Sequence, residues 1–470
     1  MKSNFLKSKG ANTQTFYNFL STMLRSGIMF ITMPIFTRIL GTEQYGLYSI
    51  YASWLTIFVC FMGMNVKSGL GTGLYKFKDD YPKFRSSTLV EGSLISAVII
   101  IVAVLIYPLI KSIFGYPIFI FTILLFEAFA QFILDFANLA WIYEKKAASN
   151  MLVSIATLVL TSVLSIALIM MWNGDHDTLY YGRVIGTALP QVAIAIFVWA
   201  YIFKQQPYGF NKEYWKYSFL FGVPLVFHML SQQILGQSDR LMMKWFGTGS
   251  GQIGIYSFYY SFVTILTTIL NALNNSWCPF LYDDLAKRNY KVLDKKIGNY
   301  VQIFTVLCLG FLLVSREVMK IFANEEYWSG VNLIPILVLV TYCTYFYQFG
   351  VNYEFFNSRP RVVAIGTVVA AISNIILNSI LIPPYGMFGA AIATLISYAI
   401  LAAMHTIVVK TWKLEKYPLT YKPVVLGLLL VLIGCVIFYV AKDLMVIRWG
   451  LGVALGVYLV LSVYKRKTIF

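Results

Sequence analysis

Stretches of about 20 consecutive, mostly apolar residues recur along the entire chain, and each is long enough to cross the hydrocarbon of a bilayer as a helix. Fourteen such stretches can be marked out: residues 13–38, 46–65, 87–110, 117–142, 151–172, 180–203, 215–238, 251–273, 297–315, 331–351, 361–382, 386–409, 420–440 and 446–464. The runs are continuous and do not alternate apolar with polar residues, so they read as helices and not as strands of a barrel. Composition agrees: 59% of residues are hydrophobic and only 12% are charged, about half the charged share of a soluble domain. Lys2, Lys7 and Lys9 precede the first run, but that run is too long for a signal peptide and has no small-residue cleavage site. It reads as a retained span.

The basic residues orient these spans. With both termini placed in the cytoplasm, 27 of the 37 Lys and Arg fall in inner segments, nine fall in outer ones and Arg25 lies inside the first span. A threefold bias spread over many short loops is the positive-inside signal. The expected location is therefore a plasma membrane, crossed many times. The net charge of +17 follows from topology. Because the bases are scattered through short loops and form no single patch, nucleic-acid binding is a poor reading.

Two short motifs repeat. Gly46-Leu-Tyr48-Ser49 returns as Gly254-Ile-Tyr256-Ser257, about 208 residues later; Tyr181-Gly182 with Gly186 returns as Tyr385-Gly386 with Gly389, about 203 residues later. The offset spans six helices, an even number, so the two halves run in parallel orientation, as in carriers built from repeats. The expected fold is all-α: a polytopic membrane protein of about fourteen transmembrane helices, with two six-helix repeats and two extra C-terminal helices. The expected divisions are residues 1–210, 211–412 and 413–470.

Polar residues at membrane depth are costly and mark cavities or partners. The first span carries Asn18, Ser21, Thr22, Arg25 and Thr32 on one face. Arg25 lies near its middle, and a guanidinium, always charged and fork-shaped, matches phosphate oxygens; a structural acid partner is the competing reading. The fourth span carries Glu127, Gln131, Asp135 and Asn138 on one face, available to pair with Arg25, to carry protons or to line a cavity. Glu91, near the inner end of its helix, is expected to snorkel. The seventh span combines Pro224, a bend site, with His228, Ser231, Gln232, Ser238 and Asp239; the eighth carries Asn271 among other amides; the eleventh carries Asn374 and Asn378. His228 is a titratable candidate, although a lone helical histidine usually makes an interhelical hydrogen bond. His405 has no polar stripe around it. Tyr342 and Tyr345 suit either helix packing or stacking on sugar rings. These considerations single out Asn18, Thr22, Arg25, Glu127, Gln131, Asp135, His228, Gln232 and Asn271 as substrate-binding candidates.

Enzymatic signatures are missing. The outer loops are short, and the chain contains no H-E-x-x-H, G-x-S-x-G or phosphate-cradling loop. The five cysteines, Cys60, Cys278, Cys308, Cys343 and Cys435, form no C-x-x-C pair and read as small buried hydrophobes. A transporter without a nucleotide site, drawing on ion or substrate gradients, is the expectation.

The opening helix ends in Pro34-Ile-Phe-Thr-Arg38-Ile-Leu-Gly41 and is followed by Tyr45-Gly46-Leu-Tyr48. Ser238-Asp239-Arg240-Leu then leads to Gly254-Ile-Tyr256, and Tyr385-Gly386-Met-Phe-Gly389-Ala-Ala-Ile-Ala-Thr394 comes later. In this order the motifs resemble the polysaccharide-exporter branch, the Wzx-type flippases, of the multidrug/oligosaccharidyl-lipid/polysaccharide (MOP) superfamily. The resemblance covers the whole chain. It implies a substrate, an undecaprenyl-pyrophosphate-linked oligosaccharide moved from the inner to the outer leaflet by alternating access. The implied surroundings are membrane lipids, with a glycan polymerase and chain-length proteins as neighbours, and the implied state is a monomer. Arg25 matches the first-helix position where the related lipid II flippases place cavity arginines. Those relatives hold Na+ at positions that match Asp239, Asn374, Asn378 and Thr394, with Asn378 replacing an acid; the implied coupling ion is Na+ or H+, and no other cofactor is expected. A multidrug/cation antiporter of the same fold, a membrane glycosyltransferase, polymerase or ligase, and a scaffold subunit without transport of its own are the alternatives.

Overall fold

The computed structural model describes residues 11–411 and 421–466; the side chains at 11–16, 18, 19, 22 and 26 lie outside that description. Among the described residues every regular element is helical. Backbone amides in hydrocarbon have no water to bond, and a helix satisfies them within its own segment. The elements are α1 (Ala11–Phe61), a 3-10 segment (Met62–Gly69), α2 (Leu70–Lys76), α3 (Tyr81–Phe114), α4 (Ile118–Tyr143), α5 (Ala147–Met170), α6 (Tyr180–Gln205), α7 (Lys212–Trp245), α8 (Ser250–Ala286), α9 (Tyr290–Phe322), α10 (Leu333–Phe356), α11 (Pro360–Thr411), α12 (Lys422–Val440) and α13 (Met445–Arg466). The outward surface is apolar, as a lipid-facing surface must be: Leu109 is 82% exposed and Val446 85%.

Twelve helices are long and apolar enough to cross a membrane among the described residues. Two of them are of double length. The 51 residues of α1 and the 52 of α11 would each reach about 77 Å if straight, more than twice a hydrocarbon core. Neither is straight. Gly41 breaks α1 with φ 66° and ψ −179°, and Gly386 breaks α11 with φ 52° and ψ −128°. Such backbone angles are open to glycine and closed to residues bearing a Cβ.

A further break follows α1. Gly63, Met64 and Asn65 take left-handed angles in succession, φ 61°, 43° and 57°. Expected as the end of a span and a loop, this stretch is instead buried, with α3, α4 and α7 against it. Small residues make the approach possible. A Cβ on Gly63 or on Gly92 would lie 2.3 Å from the ring of Phe132, and one on Gly222 would lie 2.7 Å from the carbonyl oxygen of Asn65.

Three helices end alike. The amides of Lys146, Asn289 and Arg359 reach back five residues to the carbonyls of Trp141, Asp284 and Glu354. The residues before those amides, Lys145, Arg288 and Ser358, are left-handed. This is the Schellman stop, reused at α4, α8 and α10.

The packing divides into two compact units, Met1–Trp245 and Phe246–Phe470. In the first, α1 packs on α5, α4 and α7, and α6 lies between α4 and α5. In the second, α10 packs along α11 and on α8, while α12 and α13 pack on α9. Arg448 of α13, fully buried, is held by the carboxylate of Glu317 and by the carbonyl oxygens of Leu313, Ala441 and Lys442. That arrangement ties the start of α13 to α9 and to the end of α12.

Candidate functional site

In the first unit a chain of polar side chains links three elements. Lys67 Nζ, carried by the 3-10 segment, lies 2.7 Å from Asp135 Oδ2 of α4. Gln131, one turn back on α4, donates from Nε2 to Asp135 Oδ1 at 2.8 Å and accepts from Gln191 Nε2 of α6 at 2.7 Å. The Lys67 side chain is 13% exposed and that of Asp135 33%, so the pair is reachable from one side. The left-handed break at Gly63–Asn65 brings a lysine back toward α4 that an unbroken helix would place elsewhere. Asp135 is thus neutralised by Lys67 and not by Arg25.

Glu127, the other acid expected on this stripe, is 2% exposed and accepts a hydrogen bond from Tyr51 Oη at 2.5 Å. It too has a partner other than Arg25. Arg25 itself is exposed. Asn18 and Thr22, expected beside it, have side chains outside the described residues. Nearby in the same unit, the guanidinium of Arg183 on α6 sits 3.6 Å from the ring centroid of Phe36 and 4.0 Å from that of Tyr48. Such cation–π contacts hold a charge in a place with little water.

The seventh-span candidates are spread out. His228 is half-buried, with Nδ1 buried and unpartnered, and Gln232 is exposed. Asp239 is fully buried near the end of α7. Glu91 does not snorkel: it is 3% exposed and accepts a hydrogen bond from Ser218 of α7 at 2.5 Å, because the 3-10 segment and α7 close over it.

In the second unit, Asn374, Asn378 and Thr394 meet. Asn378 Nδ2 donates to Asn374 Oδ1 at 3.0 Å, and Asn374 Nδ2 reaches Thr394 Oγ1 at 3.4 Å. All three are fully buried. The bend at Gly386 folds α11 back on itself, so that residues 20 apart in sequence come into contact; Gly389 packs so closely that a Cβ there would lie 2.0 Å from the carbonyl oxygen of Leu381. Two amides and a hydroxyl supply neutral oxygens of the kind hard cations use. Asn271 is exposed on α8 and 3.5 Å from Gln348 Nε2. Among the described residues no cluster of three or more His, Cys, Asp or Glu could hold a metal.

Tyr342 and Tyr345 do not offer their faces to a sugar. Each is 1% exposed; Tyr342 Oη donates to the Val424 carbonyl at 3.0 Å and Tyr345 stacks on Phe304 at 4.5 Å. Helix packing takes both.

Sequence reasoning missed three pairs, two of them buried. Lys67 lies between the spans 46–65 and 87–110, in a stretch that reads as a loop. Arg85, in a stretch that also reads as a loop, is 3% exposed and bonds Glu144, just past the end of α4, and Gln205 of α6. His405 Nδ1 lies 2.8 Å from Glu354 Oε1, both completely buried. One signal was available: each of these residues lies in or beside an apolar run, where an unpaired charge is too costly to persist.

Comparison with known proteins bears on the family and the fold. Residues 12–283 match the profile of the polysaccharide biosynthesis protein family. An uncharacterized membrane protein of Haemophilus influenzae is 21% identical over 377 residues, spanning 76% of this chain and 88% of that protein. The probable low-salt glycan biosynthesis flippase Agl15 of Haloferax volcanii is 25% identical over 158 residues, 33% of each chain. Among solved structures, the lipid II flippase MurJ in an inward closed conformation superposes with a TM-score of 0.73 at 16% identity, covering 97% of this chain and 99% of that one. An inward-facing multidrug resistance MATE family transporter of the MOP superfamily superposes with a TM-score of 0.65 at 15% identity, covering 83% and 96%. The chain is a multi-pass membrane protein with the helical fold of MurJ and the MATE transporters, and it belongs to the polysaccharide biosynthesis protein family.

Proposed function

We propose that this protein is a flippase that carries an undecaprenyl-pyrophosphate-linked oligosaccharide from the inner to the outer leaflet of a bacterial plasma membrane by alternating access. The observation that carries the reading is the family match over residues 12–283 together with a fold shared along nearly the whole chain with a lipid II flippase. Both termini are cytoplasmic in this reading, and α1 and α11 each cross twice. The protein is a transporter and not an enzyme.

Arg25 supplies the charge for the diphosphate. It is exposed, and the two acids nearest in role, Glu127 and Asp135, are engaged by Tyr51 and Lys67. The Lys67–Asp135 pair weakens the antiporter alternative, since an acidic cavity for organic cations needs acids that are not already neutralised. Asn374, Asn378 and Thr394 are the second unit's oxygen donors for a coupling Na+.

The test is surface glycan in a strain lacking the chromosomal copy. Arg25→Ala should insert normally yet abolish surface glycan, with lipid-linked oligosaccharide accumulating on the cytoplasmic side. Arg25→Lys should restore part of the output, because charge is kept while the fork is lost. Wild-type glycan in Arg25→Ala removes this residue from the mechanism.

A further inference from the structure

The second unit contains two buried acids at equivalent places. Asp284 and Glu354 each provide the carbonyl that closes a Schellman stop, on α8 and α10, and they are 5% and 0% exposed. Their bases differ. Asp284 Oδ2 meets Lys296 Nζ at 2.6 Å, a strongly basic amine. Glu354 meets an imidazole, the one side chain whose ordinary protonation range lies near neutrality. In the first unit the same place in the α4 stop is Trp141, and the residue about 203 positions before His405 is Ile202. Among the described residues the acid–imidazole pair is therefore found in the second unit.

Its surroundings are built for a ring and leave it incompletely bonded. A Cβ on Gly350 would lie 2.9 Å from His405 Cβ, and one on Gly366 would lie 2.9 Å from Nε2, so two glycines make the space for the imidazole. Tyr347 of α10 stacks on it at 6.0 Å. The basic side chains nearest in sequence, Arg359, Arg361 and Lys410, are exposed. His405 Nε2 and Glu354 Oε2 are buried without a hydrogen-bond partner. An orphaned buried polar atom costs about 1–3 kcal/mol.

We propose that Glu354 and His405 form a proton-binding site. One proton is shared along the Nδ1–Oε1 line, and a second has two open positions, Nε2 and Oε2. With one proton the pair carries a net charge of −1 and with two it is neutral; a net charge at this depth is costly, so release of the second proton goes together with separation of α10 from the last turns of α11. Releasing a proton and opening that contact are one event, and this gives the proposed flippase a proton-coupled step; that last clause alone rests on the flippase reading.

The test uses full-length protein in phosphatidylethanolamine–phosphatidylglycerol liposomes, with the proton as the only probe. Infrared difference spectra between about pH 5 and about pH 9 should show a protonated-carboxyl band that is absent in Glu354→Gln and whose midpoint moves by about one pH unit or more in His405→Gln. A band that survives Glu354→Gln, or a midpoint untouched by His405→Gln, overturns the site. Glutamine keeps a hydrogen bond in either position, and His405→Gln decides the matter if Glu354→Gln fails to fold. In cells, both variants should lose the response of surface glycan to external pH by about tenfold, a usual coupling size. If the wild type exports no glycan at all, the flippase reading fails while the infrared titration still judges the proton site.

Discussion

At the residue scale, buried charge is the currency of this fold. Lys67 and Asp135 show what that means. Each alone would be an ion in a poorly hydrated place; together they make a 2.7 Å pair extended by Gln131 and Gln191. Removing one partner strands the other, so Lys67→Met or Asp135→Asn should each lower stability by about 2 kcal/mol, a reduced value because the pair is partly exposed. The double variant should recover most of that loss. Thermal unfolding in detergent checks this, and a double variant as unstable as the sum of its parts would show that the two side chains act separately. The stripe of Glu127, Gln131 and Asp135 was legible from helical spacing, because neighbours on one helix face are fixed by periodicity alone. Their partners were not. Tyr51 and Lys67 come from 76 and 68 residues away, and His405 reaches Glu354 across 51. Nothing local encodes those meetings.

At the element scale, the helices were legible because apolar length alone dictates them, whereas the breaks were not, because hydropathy does not record backbone angles. Gly41 and Gly386 bend helices that the sequence divides into separate spans. The left-handed turn at Gly63–Asn65 falls where the sequence ends a span and begins a loop, and nothing in hydropathy shows that the chain stays buried there. The repeated glycine motif has a physical cause once the packing is known. A Cβ on Gly186 would lie 2.4 Å from the Cα of Ser165, and one on Gly182 would lie 3.1 Å from the amide nitrogen of Ile169, so these glycines let α6 lie directly on α5. Backbone cannot give way as a side chain can. Gly186→Val should therefore cost about 3 kcal/mol and reduce the yield of folded protein extracted by mild detergent. Gly63→Ala is a different case, meeting a movable Phe132 ring but also a positive φ. Phe132→Leu should rescue the ring clash and leave about 1 kcal/mol of backbone strain, which differential unfolding of the single and double variants would resolve.

At the scale of the whole molecule, the arrangement across the bilayer depends on whether α1 and α11 each cross twice. Length argues that they do, since one crossing takes about 20 residues and each helix has more than 50. The charge distribution argues the same way: only an even number of crossings between successive basic loops keeps 27 of 37 Lys and Arg on one side. In the proposed orientation, with both termini cytoplasmic, each bend faces the outside and the α8–α9 turn at Asn289 faces the cytoplasm. Glu43, Tyr385 and Asn289 are all exposed, so a cysteine at any of them is available to a reagent on its own side. In a variant with the five native cysteines replaced, a membrane-impermeant maleimide should label Glu43→Cys and Tyr385→Cys in intact spheroplasts, and Asn289→Cys only after permeabilisation. If either bend reacts only after permeabilisation, its helix does not return across the membrane there. The fourteen-crossing arrangement would then be lost, and with it the inward placement of the basic loops that follow.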